Sequence, residues 1–262
     1  MTRHILLSND DGIEAHGLNL LARALVDRGD VRVSVVAPSE QQSASSHSLT
    51  IRNPIRVLDC GPGRWAVTGT PTDSVLVAVE HILRDDPPDL VISGINHGAN
   101  MGEDVTYSGT VAAALEGAIL GFPSYALSCA SWHPRDWGAA EAFVRHHLDD
   151  LLAVPMPGNA LLNVNIPDIP AAEVRGIRTC PLGHRRYKDV ITEQTDPRGR
   201  PYLWIGGRGP TWEQIPDTDA VLLQQGFVVV TPLRVDLTHS ELLAGMGGLD
   251  LAGPLGPAAG AR

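Results

Sequence analysis

Residues 1–37, MTRHILLSNDDGIEAHGLNLLARALVDRGDVRVSVVA, set the fold. Ile5 to Leu7 is an apolar run of strand length, Leu18, Leu21, Ala22 and Leu25 recur at the spacing of one helix face, and Val31 to Ala37 is strand-like again. That is a β-α-β start. The rhythm resumes with Val75, Ala78, Val79 and Ile82 on a second helix face and Leu90 to Ile92 as a short buried strand. Val111, Ala114, Leu115 and Ala118 then mark a third helix, and Tyr125 to Leu127 a further strand. A parallel crossover has to travel back along the sheet, which a helix does, so this alternation predicts an α/β fold: a doubly wound, Rossmann-like, mainly parallel sheet covered on both faces.

Beyond Gly176 the rhythm changes. TDPRGRPYLWIGG (195–207) sets a Pro/Gly turn beside an aromatic and β-branched run, which predicts a hairpin-rich insertion over about 176–216. Helix and strand return at Ala220 to Val230, where the chain rejoins the main body. The tail 245–262 is rich in Gly, Ala, Leu and Pro without a period and reads as a loosely ordered end. A length of 262 residues suits one α/β domain over 1–262 with an appendage rather than two large domains.

Composition narrows the function classes. The hydrophobic share of 43% and charged share of 19% are ordinary for a soluble protein, and no apolar run reaches the ~18 residues of a bilayer helix. The N-terminus lacks the long apolar stretch and cleavage site of a secretory leader, so a cytoplasmic location is expected. Cys60, Cys129 and Cys180 are odd in number and far apart, which predicts reduced thiols in packed positions rather than disulfides or structural zinc. A formal net charge of −10 argues against a duplex-binding protein, whose affinity would rest on clustered Lys and Arg. A small anionic substrate stays open if a metal supplies the positive charge.

Asn9, Asp10, Asp11 and Gly12 follow the first strand directly, at the carboxyl edge where open α/β sheets gather ligands. Two adjacent acids repel one another, and a hard cation such as Mg²⁺ or Mn²⁺ relieves that. The competing reading is a polar turn in which one acid caps the next helix. The loop APSEQQSASSHSLT after the second strand carries six hydroxyl side chains, any of which is a neutral oxygen ligand or part of a plain serine-rich connection. SGINHGANMGEDVTYSGTVAAALEG (93–117) packs glycines after a strand and ends in Ser-Gly-Thr at a helix start. Asn96 offers a carbonyl oxygen there, while Ser108, Gly109 and Thr110 offer hydroxyl and backbone donors for a phosphate, or simply cap the helix. No Walker loop occurs. His97, His47 and His184 read as hydrogen-bonded or surface residues, because none has paired ligand spacing. Arg185, Arg186 and Lys188 with Tyr187 read as a solvated basic edge, with contact to a nucleotide as the alternative. Cys129 and Trp204 read as core or hairpin packing.

Four blocks, ILLSNDDG, SGINHGANMGEDVTYSGTVAAALEG, DPRGRPYLWIGG and DAVLLQQGFVVVTPL, in this order along most of the chain, resemble the SurE family of stationary-phase survival proteins. The resemblance implies a Rossmann-like core with a protruding hairpin, and homodimers or homotetramers that exchange C-terminal elements. It implies one divalent ion per subunit, Mg²⁺ or Mn²⁺, held by paired acids, a serine and an asparagine, which map onto Asp10, Asp11, Ser43 and Asn96. The family loop reads A-P-D-R-N-x-S-G-A-S, whereas this one reads APSEQQSASS; counting from Ala37-Pro38 places Ser43 at the ligand serine, with Ser45 and Ser46 beside it.

The implied activity is hydrolysis of nucleoside 5′- or 3′-monophosphates. Asp10, Asp11 and Asn96 are then the catalytic group, with Asp11 favoured as the residue that orients or deprotonates the attacking water. Ser108, Gly109 and Thr110 take the phosphate, and Asn100 lines the same cavity. Two other readings remain in view at this point. A haloacid-dehalogenase-type phosphatase would use an aspartyl nucleophile, but it calls for D-x-D where this chain has Asp10-Asp11. A non-catalytic nucleotide or metal sensor would use the same residues for binding alone.

Overall fold

The computed structural model describes residues 2–186, 191–205 and 211–246. The main sheet begins with β1 (Arg3–Ser8), α1 (His16–Val26), β2 (Val31–Pro38), β3 (Val57–Asp59), β4 (Arg64–Val67) and α2 (Pro71–Val77). It continues with β5 (Leu90–His97), α3 (Gly109–Ile119), β6 (Ser124–Cys129), α4 (Gly138–His146), α5 (Leu148–Leu152), β7 (Ala160–Ile166) and β8 (Ile177–Thr179). Short strands β9 (Arg185–Arg186), β10 (Ile191–Thr195), β11 (Pro201–Ile205) and β12 (Thr211–Trp212) precede α6 (Asp219–Gln224), β13 (Val228–Arg234) and α7 (Ser240–Gly245).

The strands of the main sheet run in the order β3-β4-β2-β1-β5-β6-β7-β13-β8. β4, β2, β1, β5, β6 and β7 are mutually parallel, β3 and β13 are antiparallel to their neighbours β4 and β7, and β8 lies parallel to β13. The doubly wound, mainly parallel architecture is therefore present, with antiparallel strands toward its edges.

Alternation along β1 feeds both layers. Ile5 and Leu7 pack with Leu18, Leu21 and Leu25 of α1 and Phe143 and Val144 of α4, while Leu6 faces Val75 of α2 and Ala113 of α3. The helix read at Val75 to Ile82 is α2 followed by a π turn over Ala78–Ile82, and its apolar residues still face this second layer.

Topology and one bulge place the site. From β1 the chain steps to β2 on one side, and later to β5 on the other, so the carboxyl ends of β1 and β5 flank the point where strand order reverses. The register between β5 and β6 then shifts between Ser93 and Asn96. Gly94 sits there with φ +130°, and a Cβ on it would fall 2.2 Å from the Leu127 carbonyl oxygen, so only glycine permits this approach. Past this shift, His97 meets Asp11 in the turn after β1.

The insertion forms the antiparallel β10–β11 hairpin, registered from Ile191↔Ile205 to Thr195↔Pro201. Trp204 lies on it but is not packed away: it is 61% exposed and meets only Tyr202 edge-on among the described rings. All three cysteines are free, as read, but Cys60 is exposed rather than packed, because β3 is an edge strand. Residues 247–262 of the tail lie outside the described residues.

Candidate active site

The turn after β1 is braced by its own asparagine: Asn9 Nδ2 donates to the Gly12 carbonyl and Asn9 Oδ1 accepts from the Gly12 N–H. That leaves the two acids between them to project from the sheet edge. Asp10 is buried, and its Oδ1 accepts the Thr110 hydroxyl at 2.5 Å. Burial pushes its carboxyl up to about 6; the Thr110 hydrogen bond opposes this, and the neighbouring Asp11 adds to it. Thr110 belongs to the first turn of α3, whose N-terminus favours negative charge.

Asp11 is held differently. Its Oδ2 accepts from the His97 backbone N–H at 3.1 Å and lies 2.7 Å from His97 Nδ1, and this partnership raises the histidine pKa against the effect of burial. The His97 ring stands edge-on to Trp137 with centroids 5.2 Å apart. Asp11 Oδ1 receives only a long 3.4 Å contact from Gln41 Nε2, which also donates to Ser43 Oγ at 3.1 Å. Asn96 directly precedes the residue that grips Asp11, and its Nδ2 donates to the Gly98 carbonyl at 2.8 Å, so the oxygen it could offer a cation is Oδ1. Asp10 and Asp11 after β1, Ser43 in the loop after β2 and Asn96 at the end of β5 thus lie at one sheet edge. Ser43 is exposed, whereas Asn96 is buried.

The helix-start residues divide their tasks. Ser108 caps α3, its Oγ accepting from the Val111 N–H at 3.1 Å, and Thr110 commits its hydroxyl to Asp10. Gly109 has no room for a side chain: a Cβ would lie 2.7 Å from Asp10 Cβ, 2.8 Å from Ser45 Oγ and 2.9 Å from Asp10 Oδ2. Ser45 Oγ is itself buried without a hydrogen-bond partner among the described residues. Asn100 turns to the ends of β6 and β7, with Nδ2 donating to Ser128 Oγ, its N–H to Asn165 Oδ1, and its carbonyl accepting from Asn163 and Asn165.

Other residues singled out from the sequence go elsewhere. His47 pairs with Glu116 of α3, and His184 with Glu103. Arg185 pairs with Asp104 and Arg186 with Glu213, while Tyr187 and Lys188 lie outside the described residues. The structure adds His97 and Gln41 as partners of Asp11, and Ser45 beside Asp10. For His97 the available signal was its place next to Asn96; Gln41 and Ser45 carried none beyond membership of the serine-rich loop.

The donor set suits a hard cation. It consists only of oxygens, two carboxylates and two neutral groups, with Asp10 Oδ2 beside Gly109 and Asp11 Oδ1 held only by the long contact from Gln41. The raised Asp10 pKa and the orphaned Ser45 hydroxyl mark a spot whose polarity the protein alone does not satisfy.

A family model described as "Survival protein SurE" matches residues 5–189. The chain is 50% identical over 246 residues to "5'-nucleotidase SurE" of Gemmatimonas aurantiaca, covering 91% of this chain and 95% of that one. It is 51% identical over 239 residues to the protein of the same name from Paramagnetospirillum magneticum, with 90% and 92% covered. Among solved structures it is similar to the SurE protein from Aquifex aeolicus, with a TM-score of 0.80 at 37% identity, over 93% of this chain and 98% of that chain.

Proposed function

The chain belongs to the SurE family, and from that premise we propose that it is a 5′-nucleotidase, a phosphomonoesterase that converts nucleoside monophosphates, 5′ and also 3′, to nucleoside and phosphate. The observation that carries the reading is the pair of adjacent carboxylates at the β1/β5 switch point, Asp10 buried and Asp11 partly buried, with the first turn of α3 against Asp10. Asp10, Asp11, Ser43 and Asn96 would hold one divalent cation, Mg²⁺ or Mn²⁺. When bound, it would neutralise phosphoryl oxygens and favour attack by water.

The chain's own groups do the rest. Thr110 fixes Asp10, and His97 fixes Asp11 through Oδ2, so Asp11 Oδ1 is placed to orient the attacking water or take its proton. Asn96 and Ser43 add oxygen donors without adding charge, which keeps the edge open to a dianionic phosphate. Because the Ser108 hydroxyl caps the helix and Thr110 gives both its hydroxyl and its backbone N–H to Asp10, the contribution to phosphate runs through the backbone N–H groups of Ser108 and Gly109 at the start of α3. Asn100 acts one step further out by holding the β6 and β7 ends in place.

The same proposal extends to assembly. Ile191, Leu203, Trp204 and Ile205 expose 61–85% of their surface on the β10–β11 hairpin, as suits a contact between subunits of a homodimer or homotetramer with exchanged C-terminal elements. No helix among the described residues is long and apolar enough to cross a membrane, and a cytoplasmic enzyme acting on free nucleotides, not on duplexes, fits the net charge of −10.

The test is phosphate release from a panel of nucleoside monophosphates with Mg²⁺, Mn²⁺ or chelator, for the parent and Asp11→Asn. Metal-dependent release should fall by about 10²–10⁴-fold in the variant, the range set by loss of a general base. Tight nucleotide binding with no release under any ion would support the sensor instead. An acyl-phosphate analogue trapped on either aspartate would favour the dehalogenase-type scheme.

A further inference from the structure

The loop leaving β6, ASWHPRDWG (130–138), carries two tryptophans with different surroundings. Trp137 packs against the His16 and His97 rings. Trp132 is 68% exposed, yet its ring is seated: a Cβ built on Gly98 would lie 3.4 Å from Cδ2, Cε2 and Cε3 alike. Equal distances to three neighbouring ring atoms put this contact over the face of the indole, not its edge. Gly98 is the residue whose carbonyl receives the Asn96 amide, and its own N–H donates to the Cys129 carbonyl at the root of the loop. One indole face therefore lies on the backbone of the Asn96 loop, and the ring is otherwise largely open to solvent.

An aromatic ring left in water forgoes the stabilisation that burial would bring, and this one rests on Gly98, two residues beyond the proposed metal-holding Asn96. We infer that Trp132 is the stacking platform for the substrate's nucleobase, an inference that rests on the nucleotidase reading above. A monophosphate at the Asp10–Asn96 edge carries its base one ribose away, and the π face of any base can stack on indole without hydrogen-bond readout. The site would accordingly prefer phosphates bearing a planar base, purines above pyrimidines, over phosphates without one.

Steady-state kinetics with adenosine 5′-monophosphate and ribose 5-phosphate test this in the parent, Trp132→Ala and Trp132→Phe. The alanine variant should raise KM for the nucleotide about tenfold, with kcat within about twofold, and leave ribose 5-phosphate unchanged; phenylalanine should recover most of the loss. An unchanged nucleotide KM, or equal losses for both substrates, would overturn the assignment, since a merely structural role would move both. Should the parent release no phosphate from any nucleotide, the nucleotidase reading falls by itself. Calorimetric binding of adenosine 5′-monophosphate then still decides Trp132: about tenfold weaker binding in Trp132→Ala supports the platform, and equal binding overturns it.

Discussion

At the amino end of β1, His4 is 3% exposed and both ring nitrogens have partners, Ser34 Oγ and the Arg32 guanidinium, each at 2.8 Å. Arg32 is in turn held by Asp86, and the His4 backbone N–H donates to Asp89. At the carboxyl end, Asp10 is equally buried, but its carboxyl is pushed up to about 6, a second acid follows it, and the hydroxyls of Ser8, Ser45 and Ser93 are buried without partners. One strand thus ends in a satisfied polar network on one side of the molecule and an unsatisfied one on the other. Unsatisfied buried polarity costs stability, and proteins keep it where a ligand completes it. The amino edge serves the fold, and the carboxyl edge is the one proposed to take a ligand.

Two serines sharpen that contrast. Ser34→Ala should destabilise the protein by about 1–3 kcal/mol, because the buried His4 ring loses its hydrogen bond to the Ser34 hydroxyl, and should leave phosphate release unchanged; denaturant unfolding beside an activity assay reads both. His4 itself gives a pH signature of the same edge. Burial, and then the Arg32 charge, lower its pKa in the fold, while a hydrogen bond to the Pro87 backbone, and then Asp86 and Asp89, oppose this. The neutral ring is the folded form, so its stabilisation is present above the ordinary histidine pKa and lost as pH falls through the lowered value. Between pH 7 and pH 5 the parent's unfolding midpoint should therefore drop more than that of His4→Gln; parallel profiles would contradict the satisfied-network account. The smallest effect belongs to Ser45→Ala, which removes a hydroxyl that bonds to nothing. Its stability should stay within about 0.5 kcal/mol of the parent or rise, and a loss as large as that of Ser34→Ala would erase the distinction between the edges.

Much of this organisation is legible in the chain. Apolar periodicity locates β1, α1, β2, α3 and β6 because each buries a face against the sheet, and NDDG can be placed at the edge because a parallel strand delivers whatever follows it there. Strand direction is less legible: nothing local distinguishes β13, antiparallel to β7, from a parallel strand, since both are buried apolar runs. Partnerships at long range are not legible at all. His97 meets Asp11 across 86 positions, and Asn100 meets Asn163 and Asn165 across more than 60, so no spacing pattern announces either. Ser45 is singled out only by the absence of a partner, which is a property of three dimensions.

The paired acids at the carboxyl edge are the proposed divalent-cation site. Thermal and denaturant unfolding in chelator and in Mn²⁺ at about a hundredfold excess over its Kd measures that directly, for the parent, Asp10→Asn and Asp11→Asn. The parent should gain about 2.7 kcal/mol from the ion while each variant gains little or nothing. No gain in the parent, or the same gain in all three proteins, would contradict the account.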